Sequence, residues 1–140
     1  MKRLYAWIRS CVPDGATSAD LSTFKSEKFR DEISDYFDKA FLLTYYLWTD
    51  YFLAVDQRAK NMMLRTWDGL IWYITYYDGD TQMGKRNDCF LVYDYTTDRD
   101  TYDAEAGKYA FEGRDSWLWN LVLANLDADL KTQAQALRGV

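Results

Sequence analysis

What most limits how this chain can fold is a change of hydrophobic period near its middle. From Ser26 to about Ala54, Phe29, Ile33, Phe37, Phe41 and Tyr45 recur every four residues among Glu27, Lys28, Arg30, Asp31 and Asp35. That spacing lays one apolar stripe along a helix. Ser26 is placed to cap it, because a serine hydroxyl accepts from a free first-turn amide. The pattern predicts a long helix over 26–54 with a bend near Asp38. Its second half, Phe41 to Phe52, is apolar on most faces and belongs at the centre of the fold. Beyond it the period changes to that of strands. Asn61 to Trp67 and Leu70 to Tyr77 flank Asp68-Gly69, and a two-residue Asp-Gly between β-rich runs predicts a tight hairpin, since both residues tolerate positive φ. The second run carries large side chains on both faces, which predicts cover on both.

The flanking segments read more simply. Leu4, Trp7, Ile8 and Cys11 stand at helical spacing, and Pro13 with Asp14-Gly15 ends that short helix. The small, polar stretch over 14–23 reads as a loop. After the hairpin come a turn-rich segment over 78–88, a further strand from Cys89 to Tyr95, and a polar loop to about Gly113. Asp115 or Ser116 can cap a terminal helix carrying Trp117, Leu118, Leu121, Val122 and Leu126, and Asp127 to Leu137 continues as a second helical piece. The fold class is therefore α+β: a long central helix, a β-hairpin over about 61–77, a further strand, and helices at both termini. A chain of 140 residues is expected to form one domain over 1–140.

Composition limits the chemistry. With 49% hydrophobic residues, including six Trp, twelve Tyr and seven Phe, the chain is too apolar to stay disordered. It has no histidine, which removes Ser-His-Asp and Cys-His pairs, histidine-ligated zinc and every imidazole base. Chemistry is left to carboxylates, amides, hydroxyls, Lys and Arg. The net charge of −5 is mixed in sign, with basic residues interrupting acidic runs as in Asp98-Arg99-Asp100. No nucleic-acid grip is expected from it. Cys11 and Cys89 form no CxxC pair and read as reduced intracellular thiols. The apolar stretch after Met1-Lys2-Arg3 is too short for a secretion signal. The run from Ala40 to Val55 falls short of the roughly 20 residues that span a bilayer, so no membrane span is expected.

One constellation remains. Asp56 and Asn61 stand five apart before the hairpin, and Asp78 and Asp80 stand just after it. A tight hairpin brings its outer ends together, so these four side chains should converge. Three carboxylates and an amide oxygen repel unless cations sit among them, and such hard oxygen ligands suit Mg²⁺, Mn²⁺ or Ca²⁺. Arg58 and Lys60 can meet phosphate there or balance the carboxylates. The EF-hand register is absent around Asp78-Gly79-Asp80. The order Asp, Asn five residues on, hairpin, Asp is that of a protein-kinase catalytic half, although His-Arg-Asp and Asp-Phe-Gly are both missing.

This order resembles the CotH family of atypical spore-coat kinases, in which a Trp-Asp-x-Asp element with a nearby Gly follows the hairpin. Its counterpart is Tyr77-Asp78-Gly79-Asp80-Thr81-Gln82-Met83-Gly84, with Tyr in place of Trp. A broader resemblance links the chain to tail proteins of short-tailed bacteriophages, including crAss-like phages. It is carried by Val55-Asp56-Gln57-Arg58-Ala59-Lys60-Asn61, Thr66-Trp67-Asp68-Gly69-Leu70-Ile71-Trp72-Tyr73, the 77–84 run, Asn87-Asp88 and Ser116-Trp117-Leu118-Trp119-Asn120. In those proteins the segment lies within a much longer polypeptide. The resemblance thus implies a domain or shortened relative of a larger tail protein, located in the virion and in the host cytoplasm during assembly. It would contact other virion subunits or copies of itself, with 96–114 as a candidate contact loop. The kinase resemblance implies an alternative, a metal-dependent phosphotransferase. There Asp56 orients the acceptor hydroxyl, Asn61, Asp78 and Asp80 hold Mg²⁺ or Mn²⁺ with ATP, and Arg58 and Lys60 contact phosphate. The 55 residues before Asp56 hold only Gly15 and no Gly-x-Gly loop, so the chain alone is not expected to be active. A third expectation is a small acidic host-takeover protein that binds a bacterial target.

Overall fold

In the computed structural model, the first apolar stripe forms α1 (Lys2–Ser10), which buries Leu4 and Trp7, with Cys11 buried just past its end. The structure describes residues 1–17, 20–52, 54–58, 61–79, 82–83, 102–103, 108–109 and 116–139. Past Pro13 the chain turns through Gly15 at φ +77°. The segment expected to be a plain loop contains a 3₁₀ turn over Asp20–Ser22. Its Leu21 is fully buried, and a single apolar residue in a polar stretch leaves no periodic trace. The Asp20 carboxylate accepts from the Thr17 amide at 2.8 Å and the Thr17 hydroxyl at 2.7 Å, which holds its pKa below the ordinary value.

The expected long helix is two helices. α2 (Glu27–Glu32) begins where expected, with the Phe29 amide donating to Ser26 Oγ at 3.2 Å. It runs into a 3₁₀ turn over Ile33–Asp35 and stops. Phe37 pairs in parallel with Trp72, whose amide donates to the Tyr36 carbonyl at 2.7 Å. α3 (Lys39–Tyr51) then starts afresh under Asp38, whose carboxylate accepts from the Phe41 amide at 3.0 Å. The break takes two backbone residues for a bridge to the hairpin, and Asp38 restarts the helix at little cost because Asp is a strong cap. Phe29, Ile33 and Phe37 all stay buried across it, which is why the four-residue spacing conceals it.

The hairpin also differs in register. β1 (Met63–Arg65) and β2 (Tyr73–Thr75) pair antiparallel with Met63 opposite Thr75, Leu64 opposite Ile74 and Arg65 opposite Tyr73. A two-residue turn at Asp68-Gly69 would instead set Trp67 opposite Leu70. The connection runs from Thr66 to Trp72, and Asp68 explains it. Its carboxylate accepts from the Leu70 amide at 2.7 Å, the Ile71 amide at 3.0 Å and the Thr66 hydroxyl at 3.1 Å. The Thr66 hydroxyl in turn accepts from the Gly69 amide, which sits at φ +76°. A turn built on side chains has displaced the tight backbone turn. The expected cover on both faces of the second strand is not found: Trp72 and Ile74, which share one face, are buried, whereas Tyr73 and Thr75 on the other are only half-buried and Leu70, Tyr76 and Tyr77 are exposed.

At the far end Ser116 caps α4 (Trp117–Asn125), its Oγ accepting from the Trp119 amide at 3.4 Å, and α5 (Asp127–Arg138) follows after Leu126. α4 buries Leu118, Trp119, Leu121 and Val122. Asn125 joins it to the start of α2: its Nδ2 donates to the Phe24 carbonyl at 3.0 Å and its Oδ1 accepts from the Ser26 amide at 2.7 Å. Lys39 pairs with Asp129 at 2.7 Å, tying α3 to α5. β3 (Tyr102–Asp103) and β4 (Lys108–Tyr109) form a second short antiparallel pair within the stretch read as a polar loop. The expected strand Cys89–Tyr95 lies outside the described residues, as does most of 96–114. The described residues thus show an α+β fold with five α-helices and helices at both ends. None of their helices is long and apolar enough to cross a membrane.

Candidate functional site

After α3 the chain makes a 3₁₀ turn over Val55–Arg58, and the body of the fold holds that turn by its carbonyls. The Tyr45 hydroxyl donates to the Gln57 carbonyl at 3.0 Å, and Trp119 Nε1 donates to the Arg58 carbonyl at 2.8 Å. The two rings stack with centroids 6.2 Å apart. Buried Tyr and Trp need partners for their polar edges, and here those partners are the turn itself. Burial pushes the Tyr45 phenol up to about 12, with the charge of Tyr76 adding and Arg58 opposing. It therefore remains a protonated donor at neutral pH.

From the anchored turn, Gln57 reaches across to the end of the hairpin. Its Nε2 donates to the Asp78 carbonyl at 2.9 Å, and its Oε1 accepts from the Tyr77 amide at 3.2 Å. Asn61, which is only 7% exposed, donates from Nδ2 to the same Asp78 carbonyl at 3.1 Å. Two side-chain amides on one carbonyl fix Asp78 at φ +56°, a left-handed conformation that Asp tolerates better than most residues but that still needs outside support. At the next residue a Cβ on Gly79 would overlap the Tyr76 ring, which would have to shift to admit a side chain. The Tyr76 hydroxyl donates to Gln82 Oε1 at 2.7 Å, and the Met83 amide donates to the Phe52 carbonyl at 2.6 Å. These contacts return the chain to the end of α3.

The expected constellation comes together only in part. Asn61 and Asp78 meet across the base of the hairpin, through the Asn61 side chain and the Asp78 main chain. The Asp78 carboxylate belongs to an exposed residue. Asp56 is placed by its main chain, next to Gln57 in the anchored turn. Asp80 and Lys60 lie outside the described residues. Arg58 is 2% exposed, with Nη1 3.2 Å from Asp50 Oδ1 and its Cζ 4.9 Å from the Tyr46 ring centroid. Its Nε finds no partner among the described residues. Asp50 therefore balances the Arg58 charge inside the fold. With Nδ2 engaged, Asn61 offers Oδ1 as its remaining acceptor.

Sequence reasoning missed Gln57, which does most of the joining. Its signal was faint: an amide beside Asp56 with no periodicity to mark it as buried. It also missed Asp50, which sits on α3 within a run read as apolar. Burial, with the nearby Glu32 carboxylate, pushes the Cys11 thiol up to about 11, so at neutral pH it is held in the thiol form rather than the nucleophilic thiolate. No family model, curated protein or solved structure matches the chain.

Proposed function

We propose that the chain is a structural component of a bacteriophage virion, of the kind whose tail proteins its motifs resemble, acting in assembly or host contact. The observation that carries this reading is an aromatic tract running to the surface. Tyr51, 81% exposed, contacts the Phe52 ring at 5.1 Å. Phe52 contacts Trp48 at 5.2 Å, and Trp48 meets Tyr76 edge-on at 4.8 Å. Trp67 at the hairpin tip is 87% exposed. Tyr and Trp are enriched where subunits meet, and rings left in water at this density mark surfaces that another molecule covers. Quantitative mass spectrometry of purified particles tests the reading. The chain is expected at fixed stoichiometry, and a Tyr51→Ser, Trp67→Ser variant of unchanged melting temperature is expected to be lost from particles. Recovery only outside the particles would overturn it.

The meeting of Asn61 with Asp78 favours a second reading, a metal-dependent phosphotransferase whose hairpin and preceding turn correspond to the catalytic half of a CotH-like kinase. Asp56 would orient the acceptor hydroxyl while Asn61, Asp78 and Asp80 hold Mg²⁺ or Mn²⁺ with ATP. Ligands that bind the native state raise its melting temperature. This reading fails if neither Mn²⁺ nor ATP does so and Asp78→Ala changes nothing.

A further inference from the structure

Phe41, Thr44, Tyr45 and Trp48 stand at i, i+3, i+4 and i+7, and so share one face of α3. Opposite them the hairpin contributes Arg65, Ile74, Thr75 and Tyr76, and Gln82 closes one side. Together they line an open cleft of about 640 Å³, within the range of small-molecule sites. Its walls are rings: Phe41 contacts Tyr45 at 6.5 Å and Tyr73 edge-on at 5.6 Å, and Trp48 contacts Tyr76. Phe41, Trp48 and Tyr76 each keep more than a third of their surface exposed.

Arg65 is the one charged side chain in that lining. Among the described residues no carboxylate pairs with it. Two of the hydroxyls in the lining are already engaged. The Thr44 hydroxyl accepts from Gln133 Nε2 at 3.0 Å, and the Tyr45 hydroxyl donates to the Gln57 carbonyl. Gln82 accepts from Tyr76 through Oε1, and its Nε2 supplies further donors at the side of the cleft.

We propose that this cleft binds a small ring-bearing carboxylate, the ring lying against Trp48, Tyr76 and Phe41 and the carboxylate meeting the Arg65 guanidinium. Flat apolar faces select a ring over a flexible chain, because a rigid ligand loses less freedom on binding. The guanidinium presents two parallel N–H groups that fit both oxygens of a carboxylate. Charges of both signs are spread over the chain, so what sets this cleft apart is a guanidinium placed beside ring faces, not charge alone. Both an aryl acid and an acidic sugar carry this chemistry. The site does not depend on the virion reading, since it is tested on the chain by itself.

The test follows the Trp48 indole resonance by NMR during titration with 4-hydroxybenzoate and, separately, D-glucuronate, each beside its neutral counterpart, 4-hydroxybenzyl alcohol or glucose. One acid is expected to shift that resonance saturably, and which one does so identifies the source. Its neutral counterpart is expected to bind about tenfold more weakly or worse, as is the acid to Arg65→Gln. Arg65→Lys should recover part of the affinity, since it restores the charge without the fork. Arg65 is exposed on β1, so these variants should keep the parent melting temperature. The proposal is overturned if neither acid shifts the resonance, or if the neutral counterparts or Arg65→Gln bind equally well.

Discussion

Around Trp119 the chain is held by area, and around Asp78 it is held by direction. Trp119 is buried with Leu118, Leu121 and Val122 from α4, against Tyr45 and Tyr46 from α3. Such contacts are individually weak and numerous, each buried large side chain being worth about 1.5–3 kcal/mol. At the hairpin base one carbonyl receives two side-chain amides, and each bond nets only about 1 kcal/mol although losing its partner costs more. The body tolerates change in proportion to volume. The base tolerates change only where the hydrogen-bond pattern survives. The two are not independent, because Trp119 Nε1 reaches from one into the other.

That shared residue gives the largest expected effect. Trp119→Ala removes a buried ring and orphans the Arg58 carbonyl, and should destabilise by about 3–5 kcal/mol in urea unfolding. Trp119→Phe keeps most of the area and loses only the donor, so it should cost about 1–3 kcal/mol. If Phe at 119 is as damaging as Ala, direction governs the body as well and the contrast collapses.

The buried charge comes next. Removing one partner of a fully buried ion pair costs about 3–5 kcal/mol. Asp50 has a side chain 31% exposed, and water reaching the remaining Arg58 charge from that side should hold Asp50→Ala to about 2–3 kcal/mol. The double variant Asp50→Leu, Arg58→Met replaces the pair by apolar groups and should recover most of the loss, as measured by thermal unfolding. Failure to recover would show that the Arg58 guanidinium supplies orientation to the turn and not merely a satisfied charge.

Gln57→Leu should cost about 1–3 kcal/mol, because it leaves the Tyr77 amide without its acceptor, and Asn61→Leu should cost less, about 0.5–1.5 kcal/mol, because Gln57 still serves the Asp78 carbonyl. Both serve the Asp78 carbonyl, so a double-mutant cycle should show coupling of about 0.5–3 kcal/mol. Additive costs would mean that the two amides act on the Asp78 carbonyl independently, each contributing its own bond and neither depending on the other.

The body was far more legible in the sequence than the base, and the contrast explains why. Burial writes itself as period: Leu4, Trp7 and Cys11 in and just past α1 and Phe29, Ile33 and Phe37 around α2 are all where spacing placed them. The Ser26 cap was legible too, and the second was narrowed to Asp115 or Ser116, because a cap bonds within its own turn. Directional contacts leave no period. Asp38 as a second cap, Gln57 as the joining amide and Asp68 as the side chain that sets the loop register each depend on one side chain meeting particular backbone groups. Asp38 and Asp68 were visible as residues while their partners were not, and Gln57 was missed altogether. Convergence of Asn61 with Asp78 followed from any hairpin over 61–77, so it survived an error in the turn.

The smallest expected effect lies at the hairpin tip, where direction acts without burial. The Asp68 carboxylate is fully exposed, yet hydrogen bonds from the Leu70 and Ile71 amides hold its pKa below the ordinary value. Those bonds favour the charged form, so the folded state binds its proton more weakly than the unfolded chain does. The stabilisation is therefore complete above the ordinary carboxylate range of about pH 4 and is lost as pH falls through the depressed folded value. Carboxyl-carbon NMR titration of Asp68 should give a midpoint below about 3.9. Asp68→Asn keeps an acceptor oxygen for the two amides and should remove the titration while leaving the register of β1 and β2 unchanged. Asp68→Ala removes the acceptor, and Thr66 to Trp72 should then relax toward the two-residue turn, seen as new cross-strand contacts between Trp67 and Leu70. If the register persists in Asp68→Ala, then the Phe37 bridge to Trp72 fixes it from the body side, and the tip merely follows.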